Sequence, residues 1–204
     1  MANTTFNPSD LVNISLSGGN LTASPIGQGG VRSIAAAVDK HYFEIRFSGA
    51  SGFAGAAVGI ANSAANLATV ITTATGAAIC AGNGNISVNG TAQTGVGAFS
   101  ANGSCCIALD TIGKLIWFRN GAAGNWNGSG TANPATGAGG YSFSGLTGGS
   151  AIIYAFAGGT TSLVSSTTAN FGDSAFAGAV PAGFTAGFLG ATAAAQVARV
   201  MVMA

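Results

Sequence analysis

Few side chains in this 204-residue chain could do covalent or acid–base chemistry: Asp10, Asp39, Glu44, Asp110, Asp173, a single His41, and three cysteines, Cys80, Cys105 and Cys106. Glycosidic hydrolysis needs two facing carboxyl groups, and a general base needs a partner to orient it. No base–nucleophile set emerges from these positions, so no catalytic residue is assigned and the chain reads as non-enzymatic. His41 stands at the start of a strand-like stretch, with only Asp39 and Glu44 as carboxylate neighbours in sequence, and reads as a packed or hydrogen-bonded side chain. A metal centre is not expected, because only His41 could join the cysteines and no CxxC spacing occurs. The glycine runs lack a following helix or lysine, so no phosphate cradle and no cofactor is expected. An odd cysteine count argues against a disulfide framework. Cys105 and Cys106 are adjacent, so in a strand they point to opposite faces. At least one is then a small buried hydrophobe, and an outward thiol is the one that could bridge subunits.

The strongest concentration of charge is "CIALDTIGKLIWFRNG", Cys106 to Gly121, where Asp110, Lys114 and Arg119 stand among large apolar residues. Its simplest form is strand, turn, strand. Asp110 accepts backbone N–H bonds in an Asx turn, Gly113 supplies backbone freedom, and Lys114 is a solvated turn charge. Leu115 and Trp117 are expected in the core. Asn120-Gly121 favours a second tight turn and leads into "NGAAGNWNGSGTANP". There Trp126 lies between two amides. Such a ring either stacks on a sugar or anchors a protein contact, or folds back to cap the end of the fold. The candidate ligand- or partner-binding residues are Arg119, Asn125, Trp126, Asn127 and Tyr141.

Thirty-four glycines and four prolines punctuate the chain, and no window shows a capped helical stripe. Short apolar alternations bounded by Gly, Asn and Ser predict an all-β protein. "VNISLS" and "NLTAS", joined by Gly18-Gly19, suggest a hairpin. "VRSIAAAV" is a short strand. "HYFEIRFSG" places Phe43, Ile45 and Phe47 on one face, with Tyr42, Glu44 and Arg46 on the other, where the charges could pair with a neighbouring strand. "AAVGIAN", "LATVITT", "NISVNG", "SCCIALD", "KLIWFRNG", "AIIYAFAG", "SLVSSTTANFG" and the tail "AQVARVMVM" continue the series, with a long polar loop from Ala122 to about Gly140. This spacing predicts a two-sheet sandwich over residues 1–204 as one domain, with no fixed-period repeat and no linker.

Charged residues are 5% of the chain and the net charge is +1, which leaves no basic footprint for nucleic acid and no polybasic patch for a membrane surface. The mean hydropathy of +0.49 comes from scattered alanines. No run of about eighteen strongly apolar residues is present, so no membrane insertion is expected, and the N-terminus lacks the basic and apolar regions of a secretory signal.

Three blocks resemble the SPRY (B30.2) domain. Leu109, Asp110, Gly113, Leu115, Trp117, Asn120 and Gly121 match its small-apolar, "LD", glycine-turn, "L-x-F/W-x-x-NG" hairpin. Lys40 to Asn62 resembles its "yYfEv…vGva" core. Asn170, Phe171, Gly172, Phe176, Pro181, Gly183 and Phe184 resemble its closing "NFG…pF…P.GF". The resemblance implies a concanavalin-like antiparallel two-sheet β-sandwich, jelly-roll-like in form, that binds partners through its loops. It also places Asp110 and Asp173 in turns. Thr5 to Ser24 is similar to the leading segment that precedes SPRY modules in bacteriophage and prophage structural proteins, making residues 1–24 phage-type N-terminal strands and 191–204 a C-terminal strand.

The expected function is that of a non-enzymatic virion protein, a capsid decoration, spike or tail-fibre component, assembled in the host cytoplasm and displayed on the particle. The expected partners are other virion proteins and further copies of the chain as a homo-oligomer, with a bacterial surface glycan as a candidate receptor. The alternative is a free-standing carbohydrate-binding module that uses Trp126, Asn127 and Tyr141.

Overall fold

The computed structural model describes residues 3–49, 55–146, 152–157 and 164–188. Within them the chain forms thirteen strands: β1 (Phe6–Ser17), β2 (Thr22–Ala36), β3 (Lys40–Gly49), β4 (Ala56–Ala61), β5 (Ala77–Ala81), β6 (Ile86–Val88), β7 (Thr91–Gln93), β8 (Ser104–Asp110), β9 (Leu115–Asn120), β10 (Tyr141–Ser142), β11 (Ile152–Ala157), β12 (Val164–Asn170) and β13 (Thr185–Ala186). Every pairing is antiparallel except that of β13, which lies parallel to β3 at His41 and Tyr42.

The two layers of the sandwich share β2. One leaf runs β10-β9-β8-β3-β12 and the other β11-β4-β5-β6-β7. Thr22 and Ala23 of β2 pair with β12, whereas Gly29–Ala36 pair with β11, so this one strand passes from leaf to leaf. β1 follows the other edge of β2 with two irregularities in register. Gly18, Gly19 and Asn20 close this hairpin with φ of 57°, 67° and 65°, the left-handed backbone that the expected Gly-Gly turn supplies. "NLTAS" and "VRSIAAAV" are therefore one long strand, not two. Pro25 and the intervening glycines hide that continuity in sequence.

The core lies between the leaves. Phe43, Ile45 and Phe47 of β3 meet Ile107 and Leu109 of β8, Ile116 and Phe118 of β9, Val58 and Ile60 of β4, and Cys80 of β5. The alternation expected for β3 holds. Each fully buried Phe removes enough apolar surface to contribute about 2–3 kcal/mol. The second leaf is covered outside as well. Ala57, Ala61, Ala77 and Ile79 pack there against Ala65, Leu67, Val70 and Ala74. "LATVITT", expected as a strand, instead contains a single helical turn, α1 (Val70–Thr73). Leu67 and Val70 satisfy a lateral apolar patch rather than a sheet.

Leu115, expected in the core, is only half-buried. Trp117 is buried as expected, 0% exposed, and it faces away from the inter-leaf core that Ile116 and Phe118 enter. Its indole Nε1 donates to the Ala138 carbonyl at 2.8 Å, and the Phe184 ring stands edge-on at 6.2 Å. Loop residues, not the opposite leaf, bury it. His41 is packed as expected: Nδ1 lies 3.0 Å from the Gly187 carbonyl and the ring meets Phe188 edge-on. Cys80, Cys105 and Cys106 are all buried as free thiols, so neither adjacent cysteine presents an outward sulfur for a bridge between subunits. The tail strand expected over 191–204 lies outside the described residues. No helix among the described residues is long and apolar enough to cross a membrane.

Candidate functional site

The outer face of the first leaf carries two rows of side chains set by strand register. Tyr42, Ala108 and Trp117 form one row, and Glu44, Cys106 and Arg119 the other. From the segment after β12, Phe176, Gly178 and Phe184 lie over this face, whereas Phe171 and Phe188 enter the core between the leaves. Two shared bonds fix the segment's approach: the Asn170 side-chain amide donates to the Ser174 and Ala175 carbonyls at 3.1 and 3.2 Å.

Glu44 is the polar centre. It is buried, and its Oε1 accepts from Tyr42 Oη at 2.6 Å, from the Gly178 amide at 2.8 Å and from Cys106 Sγ at 3.7 Å. Its Oε2 accepts from the Ala177 amide at 3.0 Å. A carboxylate is an acceptor only, and here all the donors converge on it. The ion pair across strands that the alternation suggested for Glu44 is absent among the described residues: Glu44 holds a loop, and Arg46 donates to the Asn102 carbonyl at 3.3 Å. Burial, with the adjoining Cys106 and Glu44, pushes the Tyr42 phenol far above its ordinary value of 10.0. Burial likewise pushes the Cys106 thiol up to about 11. Both stay protonated at neutral pH, so the cluster presents no activated nucleophile.

Arg119 completes the second row. It is 9% exposed, and its guanidinium lies over the Trp126 ring at 4.3 Å. Its Nε and Nη2 are buried and hydrogen-bond nothing among the described residues. Trp126 is half-buried and meets Tyr42 edge-on at 6.4 Å, while Phe176 meets Tyr42 edge-on at 5.0 Å from the crossing segment. Gly178 sits so close that a Cβ there would strike Arg119 Nη2 and Tyr42 Oη. Only glycine lets the backbone approach this near. Trp126 thus folds back, but onto the outer face of the leaf rather than over the end of the sandwich.

The other expected residues divide. Asn125 is exposed beside Trp126. Asn127 is buried with φ 48°. Its Oδ1 accepts from the Phe118 amide at 2.8 Å, and its Nδ2 donates to the Ile116 and Gly139 carbonyls at 3.2 and 2.8 Å. It acts as a surrogate strand along β9. Tyr141 Oη donates to the Thr94 carbonyl at 2.9 Å, with the Asn127 carbonyl 3.3 Å away. The structure brings Arg119 and Trp126 together, and Asn127 and Tyr141 together. Tyr42, Glu44, Cys106, Phe176 and Gly178 were missed as site residues, although the shared face of Tyr42 and Glu44 was legible.

Three of the other four carboxylates hold structure. Asp10 grips Arg32 through two bonds of 2.7 and 2.8 Å. Asp110 Oδ1 accepts from the Ile112 and Gly113 amides, the expected Asx turn, and its Oδ2 lies 3.1 Å from Lys40 Nζ. Asp173 accepts from the Asn3 amide. Lys114 is exposed, as expected for a turn charge. Beside the Glu44 cluster is a cleft of about 320 Å³ lined by Glu44, Arg46, Ser104, Asn170, Ser174 and Ala177. A larger cleft of about 630 Å³ elsewhere is lined by amides and hydroxyls, including Asn62, Asn66, Thr73 and Asn89.

No protein-family model and no curated protein matches the chain. Solved structures do. The SPRY domain of human HERC1 superposes with a TM-score of 0.60 at 14% identity, covering 83% of this chain and 99% of that one. Stonustoxin superposes with a TM-score of 0.56 at 14% identity over 83% of this chain, which corresponds to 29% of the toxin chain. With its antiparallel leaves joined through β2, the chain has a SPRY-like, concanavalin-like β-sandwich fold.

Proposed function

We propose that this chain is a non-enzymatic virion structural protein of a bacteriophage or prophage-derived particle, a SPRY-like sandwich that attaches to capsid or tail proteins and contributes to contact with the host surface. The observation that carries the reading is the surface. With charged residues at 5% of the chain and with Ile26, Ile34, Val38 and Ile112 exposed, it gains little solubility from self-repulsion and suits burial against neighbouring subunits. The phage-like residues 5–24 support the particle assignment. They form the β1–β2 hairpin, so this leading segment and the sandwich are one body.

The non-enzymatic part is supported by the commitments of the titratable groups. Four of the five carboxylates have structural partners, and the Cys106 thiol is held neutral.

The carbohydrate-module alternative asks Asn127 and Tyr141 to meet a sugar. Both spend their polar groups on backbone inside the fold, and one face of Trp126 is covered by Arg119. The geometry therefore favours the attachment reading. The test is mass spectrometry of particles purified from the source culture, paired with light scattering of the isolated chain. Enrichment in the particles at a fixed ratio to the major capsid protein is expected, together with an oligomer in solution. A monomer that is absent from the particles would sink the idea.

A further inference from the structure

Arg119 presents an unusual combination. Its Nε and Nη2 atoms form the edge of the guanidinium that grips a carboxylate through two parallel bonds. Both are buried and neither has a hydrogen-bond partner among the described residues. Leaving a buried charged donor unpaired is costly, so such a group marks strain or an absent partner. The nearest carboxylate does not supply one. Glu44 is engaged by Tyr42, Cys106, Ala177 and Gly178. The guanidinium lies over the Trp126 ring at 4.3 Å, a contact that helps hold its position in advance. The Gly178 backbone lies closely over Nη2, in a stretch whose neighbours Ala175, Ala177 and Ala179 are exposed. Half-buried Trp126 and Phe176 both meet the Tyr42 ring edge-on, and the exposed Asn125 adjoins Trp126 in the chain.

We propose that the Nε–Nη2 edge of Arg119 is a receptor for the carboxylate of an acidic sugar, covered in the free protein by the strap around Gly178. A hexuronate fits the surroundings. Its carboxylate takes the fork, its ring lies against the aromatic rim, and its hydroxyls meet Asn125 and the strap amides. Binding displaces Gly178 from Nη2 while Glu44 keeps its bond to Tyr42. This deepens the host-surface part of the proposed function and rests on it for the choice of a glycan.

The probes are trigalacturonate and its fully methyl-esterified form, which share a backbone but differ in charge. Titration calorimetry and tryptophan emission are read on the full chain. Trigalacturonate is expected to bind and to perturb Trp126 emission. The ester should bind at least about tenfold more weakly, since the charge-assisted fork is lost. In Arg119→Gln the affinity should fall at least about tenfold, and Arg119→Lys should not restore it, because an ammonium cannot fork. Trp126→Phe should remove the emission change. Should Arg119→Gln fail to fold, the acid–ester comparison on the unaltered protein still decides. Equal affinity for acid and ester, or no binding at about 10 mM, a concentration too high for useful recognition, would overturn the proposal. Such a failure leaves particle association untouched, so it is distinguishable from failure of the virion reading.

Discussion

Glu44 and Gly178 stand 134 residues apart in the chain and are joined by a 2.8 Å hydrogen bond from the Gly178 amide to Glu44 Oε1. With the companion bond from Ala177, this buried carboxylate ties the strap around Gly178 to the outer face of the first leaf. Glu44→Gln offers one acceptor oxygen and places an NH₂ against backbone donors. The expected loss is about 2–4 kcal/mol, read as a lowered urea midpoint with an unchanged slope. An unchanged midpoint would show that the carboxylate does not hold the strap.

Asp10 and Arg32 give a contrasting pair. Arg32 also donates to the Asn62 and Ala65 carbonyls at 3.2 and 3.0 Å, tying β1 and β2 to the segment after β4. Its side chain is 10% exposed and that of Asp10 33%. Asp10→Ala strands the guanidinium and should cost about 2–3 kcal/mol, less than for a fully buried pair. Denaturant melts at low and high salt should give nearly the same loss. A loss that vanishes in salt would mark the pair as a surface contact.

Asn127 bridges the Phe118 amide and the Ile116 and Gly139 carbonyls. Asn127→Ala loses these bonds and strains a left-handed backbone, for a total of about 2–4 kcal/mol. Asn127→Gly loses the bonds without the strain, and should be less damaging by about 1 kcal/mol. Hydrogen exchange at the Phe118 amide should quicken in both variants. Equal losses in the two would contradict the backbone part of this expectation.

Alkaline pH should weaken the fold. Burial raises the Cys106 thiol from 9.0 to about 11, and moves Cys105 and Tyr42 upward as well. The folded state favours the protonated forms, so this stability is complete below pH 9 and is lost as pH rises from 9 through about 11. Cys106 alone accounts for about 2–3 kcal/mol over that window. Denaturant midpoints between pH 8 and 10.5, spanning roughly the lower part of the transition, should fall, and fall less in Cys106→Ala. A flat profile would contradict the burial of these groups.

Much of the fold was legible because it is local. The alternation of Phe43, Ile45 and Phe47 marks a core face within one strand, and Asp110 with Gly113 marks a turn within four residues. What was not legible was set at a distance. Trp117 is covered by Ala138 and Phe184 rather than by the opposite leaf, which alternation along β9 does not report. The run at 67–73 has strand-like branched residues, but Leu67 and Val70 are drawn to the outer face of the second leaf. At the site, Arg119 and Trp126 were legible from type and proximity in sequence. Glu44 was not, because the amides it binds come from residues 177 and 178, and backbone donors have no residue signature.

The most direct test of the virion assignment is electron microscopy of native particles from the source culture. The expected result is density for this sandwich at a fixed, symmetric copy number, with apolar residues such as Ile34, Val38 and Ile112 covered by neighbouring subunits. Particles whose every ordered protein is accounted for without this fold would contradict it.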